Sequence, residues 1–341
     1  MKHVLFRMIL LACSLAASFV LLEWAIRRFL PFYDPRRQIV FPTMPMYNDA
    51  AIGPKNERIR QRTPKGDFDL WIQFNRHGFR DTKDLSSSSP TDWFAVGDSF
   101  TFGWGIPEGG RYSDLLEKKL GWRIFNIAVP SDLDQYIGLV RYARDCGAVI
   151  SNAIVGVCMN NDLKNYRTAE KQQKAIYGDR QPWKARLRVW MQSHSAVYLF
   201  CSYELQRIPA FRGLFERLGV ARDIRELTLQ NLYDEEILES SAEKAVELAR
   251  VIGSPSTYFV LIPSLALWLA DDPAMERRVH ESFADRIRQR GLKVIDLKPA
   301  FEAHPNPRSL YFATDPHWND AGHAFAADVI ARALQESGPN P

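Results

Sequence analysis

The chain has 341 residues, enough for one large domain or two of ordinary size, and 46% of them are apolar, which is ample for a buried core. The net charge of +4 is spread over 44 basic and 40 acidic side chains without a dense basic block, so nucleic-acid binding is not suggested. None of the four cysteines has C-x-x-C or metal-ligand spacing, so we expect no metal site and no cofactor. One disulfide is possible, but buried free thiols are the default expectation.

The first thirty residues differ in composition from the rest. An apolar run over residues 8–22 follows Arg7 and ends at Glu23. The segment is about long enough to cross a bilayer core, provided that the Arg7 side chain reaches toward the headgroups. A cleaved signal peptide with a cut at Ser14-Leu15-Ala16 is the alternative, but that site falls inside the apolar run. We therefore favour an uncleaved inner-membrane anchor over residues 1–30, with the rest of the chain in the periplasm or otherwise outside the cytoplasm; secretion after cleavage is the alternative.

Residues 31–91 form the next predicted segment, an extended arm with one strand. Six prolines between positions 31 and 66 and few periodic apolar residues predict irregular structure there. Residues 67–75 alternate, with Phe68, Leu70, Ile72 and Phe74 on one face, which is typical of a half-buried strand.

Residues 92–341 are predicted to form the catalytic domain. Its first part alternates short apolar runs with helical patterns: strands over 93–96, 124–129 and 149–159, and helices over 112–120 and 134–145. This alternation indicates βαβ units and a parallel sheet, hence an α/β fold. The pattern resumes with strands over 257–262 and 293–297 and helices over 275–290 and 321–335. Asn319 or Asp320 is a suitable N-cap for the last helix.

Residues 164–250 interrupt this pattern with an almost continuously helical stretch, a predicted helical insertion. Its apolar side chains at helical spacing suggest either core or a binding groove, and core is the more common outcome; they are Trp183, Leu187, Trp190, Met191, Val197 and Leu199. The pattern does not distinguish a lid from a buttress for the sheet.

Gly97-Asp98-Ser99 directly follows the predicted strand over 93–96. Ser99 therefore lies just past the strand's carboxyl end, where open α/β sheets place their ligand sites. The tripeptide alone is more often an ordinary turn than a nucleophile. A serine is a weak nucleophile that requires a base, and the base requires an orienting group, so a partner elsewhere in the chain is needed.

Asp315-Pro316-His317 provides both groups more than two hundred residues later. In an extended segment, residues i and i+2 point to the same side, so Asp315 can reach the imidazole of His317. His317 is then the candidate general base, and the carboxylate fixes its tautomer and stabilises the imidazolium. No such partner is expected for the remaining histidines, and His323, one turn into the last helix, is interpreted as structural.

Together these stretches resemble the SGNH hydrolase, or GDSL-type esterase, family over roughly residues 75–335. Gly97-Asp98-Ser99 is similar to the family's first block, which implies that Ser99 is the nucleophile and that its N–H is one oxyanion donor. The second block resembles residues 126–131, with Ser131 in place of the usual glycine and its backbone N–H retained as a donor. The third resembles residues 159–162, where Asn161 matches the oxyanion-binding asparagine and Met159 replaces a glycine.

The resemblance implies a flavodoxin-like three-layer α/β/α fold with a mainly parallel sheet. The G-x-S-x-G elbow of α/β-hydrolases is absent, because Thr101 stands at the position of its second glycine. One residue separates Asp315 from His317, where many family members have two. This spacing is similar to that of the membrane-anchored, polysaccharide-acetylating branch of the family, which also carries an amino-terminal membrane segment.

The sequence thus predicts an exported, membrane-anchored serine esterase that removes O-acyl groups, acetyl above all, from a small molecule or glycan. Two alternatives remain open. The same triad can serve an O-acetyltransferase acting on envelope polysaccharide. The replacements at Ser131 and Met159 leave room for a non-catalytic glycan-binding protein with the same fold.

Overall fold

The computed structural model describes residues 2–37, 41–167, 187, 190–217, 224–228 and 233–338. The chain forms two compact units. The smaller contains residues 1–39, 63–66 and 178–222, and the larger contains residues 40–62, 67–177 and 223–341.

Two small antiparallel pairs begin the larger unit. Strand β1 (Thr43–Met44) pairs with β2 (Ala50–Ala51), and β3 (Arg58–Arg62) pairs with β4 (Asp69–Gln73). The prediction of an irregular stretch over residues 31–66 is therefore wrong for β1, β2 and β3, whereas β4 lies within the strand predicted over residues 67–75. The three arginines at alternate positions of β3 obscure its strand pattern, and its inward residues are defined by pairing with β4.

A five-stranded parallel sheet forms the centre of the larger unit. Its strands are β5 (Trp93–Val96), β6 (Ile124–Asn126), β7 (Asn152–Cys158), β8 (Ser256–Ile262) and β9 (Lys293–Asp296). They lie in the order β6-β5-β7-β8-β9, and every adjacent pair is parallel. This is the flavodoxin-like order, in which the connections change direction between the first and third strands, here β5 and β7. A ligand site is expected at the carboxyl ends of these two strands.

Helices of the larger unit cover both faces of the sheet. In chain order the described helices are α1 (Lys2–Phe29), α2 (Ser99–Phe102), α3 (Tyr112–Leu120), α4 (Leu133–Asp145), α5 (Ala196–Leu205), α6 (Pro209–Arg217), α7 (Ile224–Leu227), α8 (Glu235–Ile252), α9 (Ala266–Leu269), α10 (Pro273–Gln289), α11 (Lys298–Ala303) and α12 (Asp320–Glu336). Phe94 and Val96 of β5 share a core with α4, α8 and α10, whereas Trp93 and Ala95 share another with α3 and α12. This alternation gives the predicted three layers.

Most element bounds agree with the sequence predictions to within three residues, and Asn319 is the N-cap of α12, as predicted. The strand predicted over residues 124–129 ends earlier, at Asn126, because the Asn126 side chain accepts the N–H of Ala128 at 3.1 Å and turns the chain. All four cysteines are free, but only Cys158 is buried, so the default expectation of buried free thiols holds for that residue alone.

The predicted helical insertion requires two corrections. Residues 164–167 are not helical. Leu199 is buried, but Leu187 and Trp190 are exposed, contrary to the prediction of core. Helical spacing identifies an apolar face without showing what covers it. Trp183 lies outside the described residues.

The smaller unit contains α1, α5 and α6. The stretch from His3 to Phe29 in α1 is long and apolar enough to cross a membrane, with a mean hydropathy of 2.3 in its apolar window, none of which is buried. A signal sequence has the same properties, so length and composition do not separate the two alternatives.

Candidate active site

The nucleophile candidate Ser99 lies in a tight turn between β5 and α2. Asp98 is the N-cap of α2, and its carboxylate accepts the N–H of Phe100 at 2.9 Å. Ser99 is the first residue of the helix, so its N–H has no partner within the helix and is available to a ligand. The turn leaves the Ser99 side chain partly exposed at the carboxyl end of β5.

Gly97 permits this turn because there is no room for a side chain at its position. A Cβ there would lie 2.2 Å from Thr101 Oγ1 and 3.0 Å from the carbonyl oxygen of Gly156 on β7. The Thr101 hydroxyl is held by the hydroxyl of Tyr112 at 2.9 Å. The requirement for glycine before the Asp-Ser pair is therefore steric.

Ser99, His317 and Asp315 form a continuous hydrogen-bonded chain, although 218 residues separate the first two. Ser99 Oγ lies 2.7 Å from His317 Nε2, and His317 Nδ1 lies 2.6 Å from Asp315 Oδ1. The same carboxylate oxygen accepts the backbone N–H of His317 at 3.0 Å. This second bond fixes the orientation of the carboxylate relative to the ring.

The electrostatics of the pair favour an ionised Asp315. Burial opposes its ionisation, but the charge and hydrogen bonds of His317 outweigh burial and lower the pKa of Asp315. Burial also disfavours the imidazolium form, yet Asp315, with a smaller contribution from Asp98, raises the pKa of His317 above its ordinary value. The rings of Phe100 and Trp104 lie 4.9 and 5.9 Å from the imidazole, centroid to centroid, and restrict its orientation.

The third predicted block follows β7 and lies beside the nucleophile turn. Asn161 Nδ2 donates to Asp98 Oδ2 at 3.3 Å, and Asn161 Oδ1 is buried without a hydrogen-bond partner. Asp162 secures this segment by accepting the N–H of Cys158 at 2.7 Å and the hydroxyl of Tyr136 at 2.9 Å. Burial raises the pKa of both Asp98 and Asp162, whose neighbouring charges disfavour double ionisation.

Ser131 lies in the turn between β6 and α4. Its hydroxyl donates to the carbonyl oxygen of Val129 at 2.6 Å, so the side chain faces its own turn. Within the described part of the chain, no hydrogen bond joins Ser131 to the other predicted site residues. The structure thus brings Ser99, His317 and Asp315 into direct contact and links Asn161 to them through Asp98.

Residues 267–341 match the sequence model of the ALGX family, described as "SGNH hydrolase-like domain, acetyltransferase AlgX". The matched stretch contains Asp315 and His317, and the strand order described above is that of the predicted fold. Residues 267–341 therefore resemble an SGNH hydrolase-like domain. The resemblance inferred from the motifs, and the esterase or acetyltransferase type that it implies for the domain, are therefore confirmed.

Several solved structures are similar to this chain. One is a member of the lipolytic G-D-S-L family from Veillonella parvula, 12% identical, covering 72% of this chain and 98% of its own, with a TM-score of 0.41. Another is a lipase/acylhydrolase from Enterococcus faecalis, 11% identical, covering 73% and 99%, with a TM-score of 0.43. An acetyl xylan esterase is 12% identical, covering 71% and 99%, with a TM-score of 0.39. A search of curated proteins returns no match.

Asp67 also supports the candidate site, although no sequence motif indicates it. Its carboxylate accepts the N–H of Ala313 at 3.2 Å, the N–H of Thr314 at 3.0 Å and the hydroxyl of Thr314. These hydrogen bonds to Asp67 fix the position of the backbone directly before Asp315. Because 247 residues separate Asp67 from Thr314, no local sequence signal reveals the contact.

Two buried arginines fix the loop that follows Ser99, and neither was predicted. Arg80 donates to the carbonyl oxygens of Phe102, Gly103 and Ile106, with the Gly103 bond at 2.6 Å. Burial lowers the pKa of Arg80 to about 9. Arg111 donates to the carbonyl oxygen of Arg80 and pairs with Asp114 at 2.7 Å. Together they satisfy carbonyl groups that would otherwise be buried without partners.

For two of the other histidines, the structure confirms one prediction and shows the other to be wrong. His323 is buried and accepts the N–H of Tyr112 at 3.1 Å, and burial lowers its pKa to about 3, so it is neutral and structural, as predicted. His280, however, has a carboxylate partner, since its Nε2 lies 2.8 Å from Asp296 Oδ1. No local pattern indicates this pair, because α10 and the end of β9 meet only in the fold. The described residues include no group of three or more His, Cys, Asp or Glu side chains arranged for a metal ion.

Proposed function

We propose that this protein is an exported, membrane-anchored serine esterase that removes O-acyl groups, acetyl in particular, from a glycan or a small acylated molecule. The observation that carries the proposal is the hydrogen-bonded chain from Ser99 through His317 to Asp315, with distances of 2.7 and 2.6 Å. The exposed apolar surface of α1 supports membrane anchoring. The proposed reaction needs no metal and no organic cofactor.

In the proposed mechanism, Ser99 Oγ attacks the ester carbonyl carbon while His317 Nε2 takes the hydroxyl proton. Asp315 holds the Nδ1–H tautomer and stabilises the imidazolium. His317 then returns the proton to the departing alcohol as the carbon–oxygen bond breaks, which leaves the acyl group on Ser99. A water molecule, deprotonated by His317, attacks the acyl-enzyme and releases the carboxylic acid and free Ser99.

Negative charge on the carbonyl oxygen is proposed to be met by the N–H groups of Ser99 and Ser131 and the side-chain amide of Asn161. The first of these is free of helix hydrogen bonds because Ser99 begins α2. Asn161 has to turn its amide from Asp98 toward the substrate, or share it between them, since it now lies 3.3 Å from that carboxylate. Losing one oxyanion donor typically costs about 3 to 4 kcal/mol in the barrier.

The direct test is hydrolysis of p-nitrophenyl acetate by the full chain in detergent. We expect Ser99→Ala to lower kcat/KM by a factor on the order of 10⁴ or more, because the remaining groups cannot form the acyl-enzyme. Ser337→Ala, which changes an exposed serine after α12, is the matched control and is expected to retain activity. An unchanged rate in a folded Ser99→Ala protein would remove the nucleophile assignment.

An O-acetyltransferase acting on envelope polysaccharide is the second candidate. The match of residues 267–341 to a family described by an acetyltransferase favours it. In that case a sugar hydroxyl replaces water in the second step, with His317 taking its proton. The distinguishing measurement is the partition of acetyl between an added oligosaccharide and water. Faster transfer to the oligosaccharide selects the transferase, and exclusive formation of acetate selects the esterase.

The domain organisation accompanying this proposal is an anchor over residues 1–30, an arm over 31–91 and a catalytic domain over 92–341 with its helical insertion at about 164–250. The proposed location is the inner membrane, with the catalytic domain on the periplasmic side. Intact mass of the protein purified from membranes tests the uncleaved anchor. Loss of the first residues up to about Ala16 would select the secreted form instead.

A further inference from the structure

The carboxyl-terminal part of α1 is bound to the beginning of α5 through Glu23. The Glu23 carboxylate accepts the N–H groups of Ala196 at 2.8 Å and Val197 at 3.0 Å, and the hydroxyl of Ser195 at 3.1 Å. These N–H groups belong to the first turn of α5 and have no hydrogen-bond acceptors within that helix. The positive end of the α5 dipole also favours a negative charge at this point. Glu23, which ends the apolar run in the sequence, is thus a cap for a second helix.

The charges at this junction compensate one another. Arg27 donates to Glu23 at 2.7 Å and to the carbonyl oxygen of His194 at 2.6 Å, and it lies 3.3 Å from Asp34. Asp34 in turn pairs with Arg36 at 2.9 Å. Glu23 and Asp34 therefore face the guanidinium groups of Arg27 and Arg36, whereas the exposed Arg28 lies against the Phe29 ring.

Apolar packing reinforces these polar contacts. Ile26 and the nearby Tyr33 form a buried cluster with Ala196 and Leu199 of α5. A helix that only anchored the chain in the membrane would not need this packed contact with α5. The contact fixes the angle and depth at which α5 meets α1 within the smaller unit.

Large apolar side chains remain exposed on both sides of the joint. In α1, Trp24 is 60% and Phe29 is 67% exposed. On the segment that leads into α5, Leu187 is 48% and Trp190 is 57% exposed. The Trp190 ring stacks on His194, whose carbonyl oxygen binds Arg27, so Trp190 lies at the level of the α1 end.

We propose that this joint lies at the membrane–water interface and that Leu187 and Trp190 contact phospholipid there, together with Trp24. Tryptophan is enriched at this level because its ring is apolar and its N–H is polar. The occupant is a lipid bilayer because the exposed side chains continue the exposed apolar surface of α1. The proposal rests on the membrane anchoring proposed above and adds a second lipid contact to it.

The experiment uses the full chain reconstituted in phospholipid vesicles, labelled with an environment-sensitive nitrobenzoxadiazole dye at one cysteine. Cys13, exposed in α1, reports on the anchor in a variant with Cys146 and Cys201 changed to serine. A Trp190→Cys variant in which Cys13 is changed to serine as well reports on the joint. Each label is quenched separately by brominated lipid and by aqueous iodide, and free dye–cysteine sets the scale for full exposure to water.

We expect quenching by brominated lipid and protection from iodide at both positions. Lipid quenching at Cys13 with full iodide quenching at position 190 would overturn this inference while leaving the anchor intact. Iodide quenching at both positions would overturn both proposals. Protection at 190 without lipid quenching would mean that protein covers the surface, which also overturns the inference.

Glu23→Ala provides a second measurement. Removing the carboxylate releases the first turn of α5, so the label at position 190 is expected to lose its protection from iodide while the label at Cys13 keeps it. Glu23→Gln, which retains an acceptor for the N–H groups, is expected to preserve most of the protection. Equal protection at position 190 in all three proteins would contradict the role of Glu23 in setting the depth of α5.

Discussion

The surroundings of His317 affect its pKa in opposite directions. Burial favours the neutral ring, whereas the carboxylates of Asp315 and Asp98 favour the imidazolium and prevail, so the pKa of His317 is raised. A base with a raised pKa binds its proton more tightly in the transition state but is neutral, and so active, only at higher pH. The site therefore combines a strong base with a restricted pH range.

This balance predicts a pH profile. The acid limb of kcat/KM for p-nitrophenyl acetate should have its midpoint above 6.5, the ordinary value for histidine, because His317 must lose its proton before it can accept one from Ser99. Asp315→Asn should move that midpoint to lower pH and also reduce the rate at the plateau, because the imidazolium loses its main stabilising charge. A midpoint at or below 6.5 in the unaltered protein would contradict this assignment of the base.

At the scale of elements, the site depends on two segments that are distant in sequence being held at the carboxyl edge of the sheet. Close packing of Gly97 against Thr101 fixes the turn after β5, and hydrogen bonds to Asp67 fix the loop before α12. Neither contact touches the reacting atoms. Both determine whether Ser99 and His317 meet.

Asp67→Ala should therefore impair catalysis without removing a triad member. With Thr314 released, Asp315 and His317 lose part of their positioning, and we expect kcat to fall by about tenfold or more, since small displacements of catalytic groups are costly. Asp69→Ala is the matched control, because its carboxylate pairs with Arg60 at 2.6 Å on β3. Equal activity of the Asp67 and Asp69 variants would show that the hydrogen bonds to Asp67 are not needed for catalysis.

Gly97→Ala tests the steric requirement of the turn. The added methyl group would lie 2.2 Å from Thr101 Oγ1, so we expect a loss of about 1 to 3 kcal/mol in the free energy of unfolding, together with loss of activity as Ser99 is displaced. Gly213→Ala in α6 is the control, since no atom lies within 4 Å of its built Cβ and alanine favours a helix. Thermal unfolding and esterase activity report the two effects. A Gly97→Ala protein with unchanged stability and rate would contradict the packing described here.

For the whole molecule, the sequence predicted what periodicity and local chemistry encode. The β5 strand, the α3 helix and the pairing of Ser99 with His317 followed from apolar runs, helical spacing and the need of a serine for a base. The strand β3 was missed because its arginines conceal the alternation, and its register exists only through β4.

Contacts between distant segments could not be predicted in the same way. Asp67 with Thr314, His280 with Asp296 and Glu23 with Ala196 join groups that no local pattern associates. Each depends on the assembled fold, in which a carboxylate is matched to a free N–H or a ring nitrogen. The exposed positions of Leu187 and Trp190 were missed for a related reason, since spacing alone does not show which surface covers a helix.

The central claim is that Ser99 is activated by His317, and the most direct measurement is reaction of the full chain with a fluorophosphonate probe followed by peptide mass spectrometry. We expect a single adduct on Ser99, absent from Ser99→Ala and strongly reduced in His317→Ala. A folded, unaltered chain that gives no adduct on Ser99, or one that reacts equally after His317 is removed, would contradict it and favour a non-catalytic glycan-binding protein.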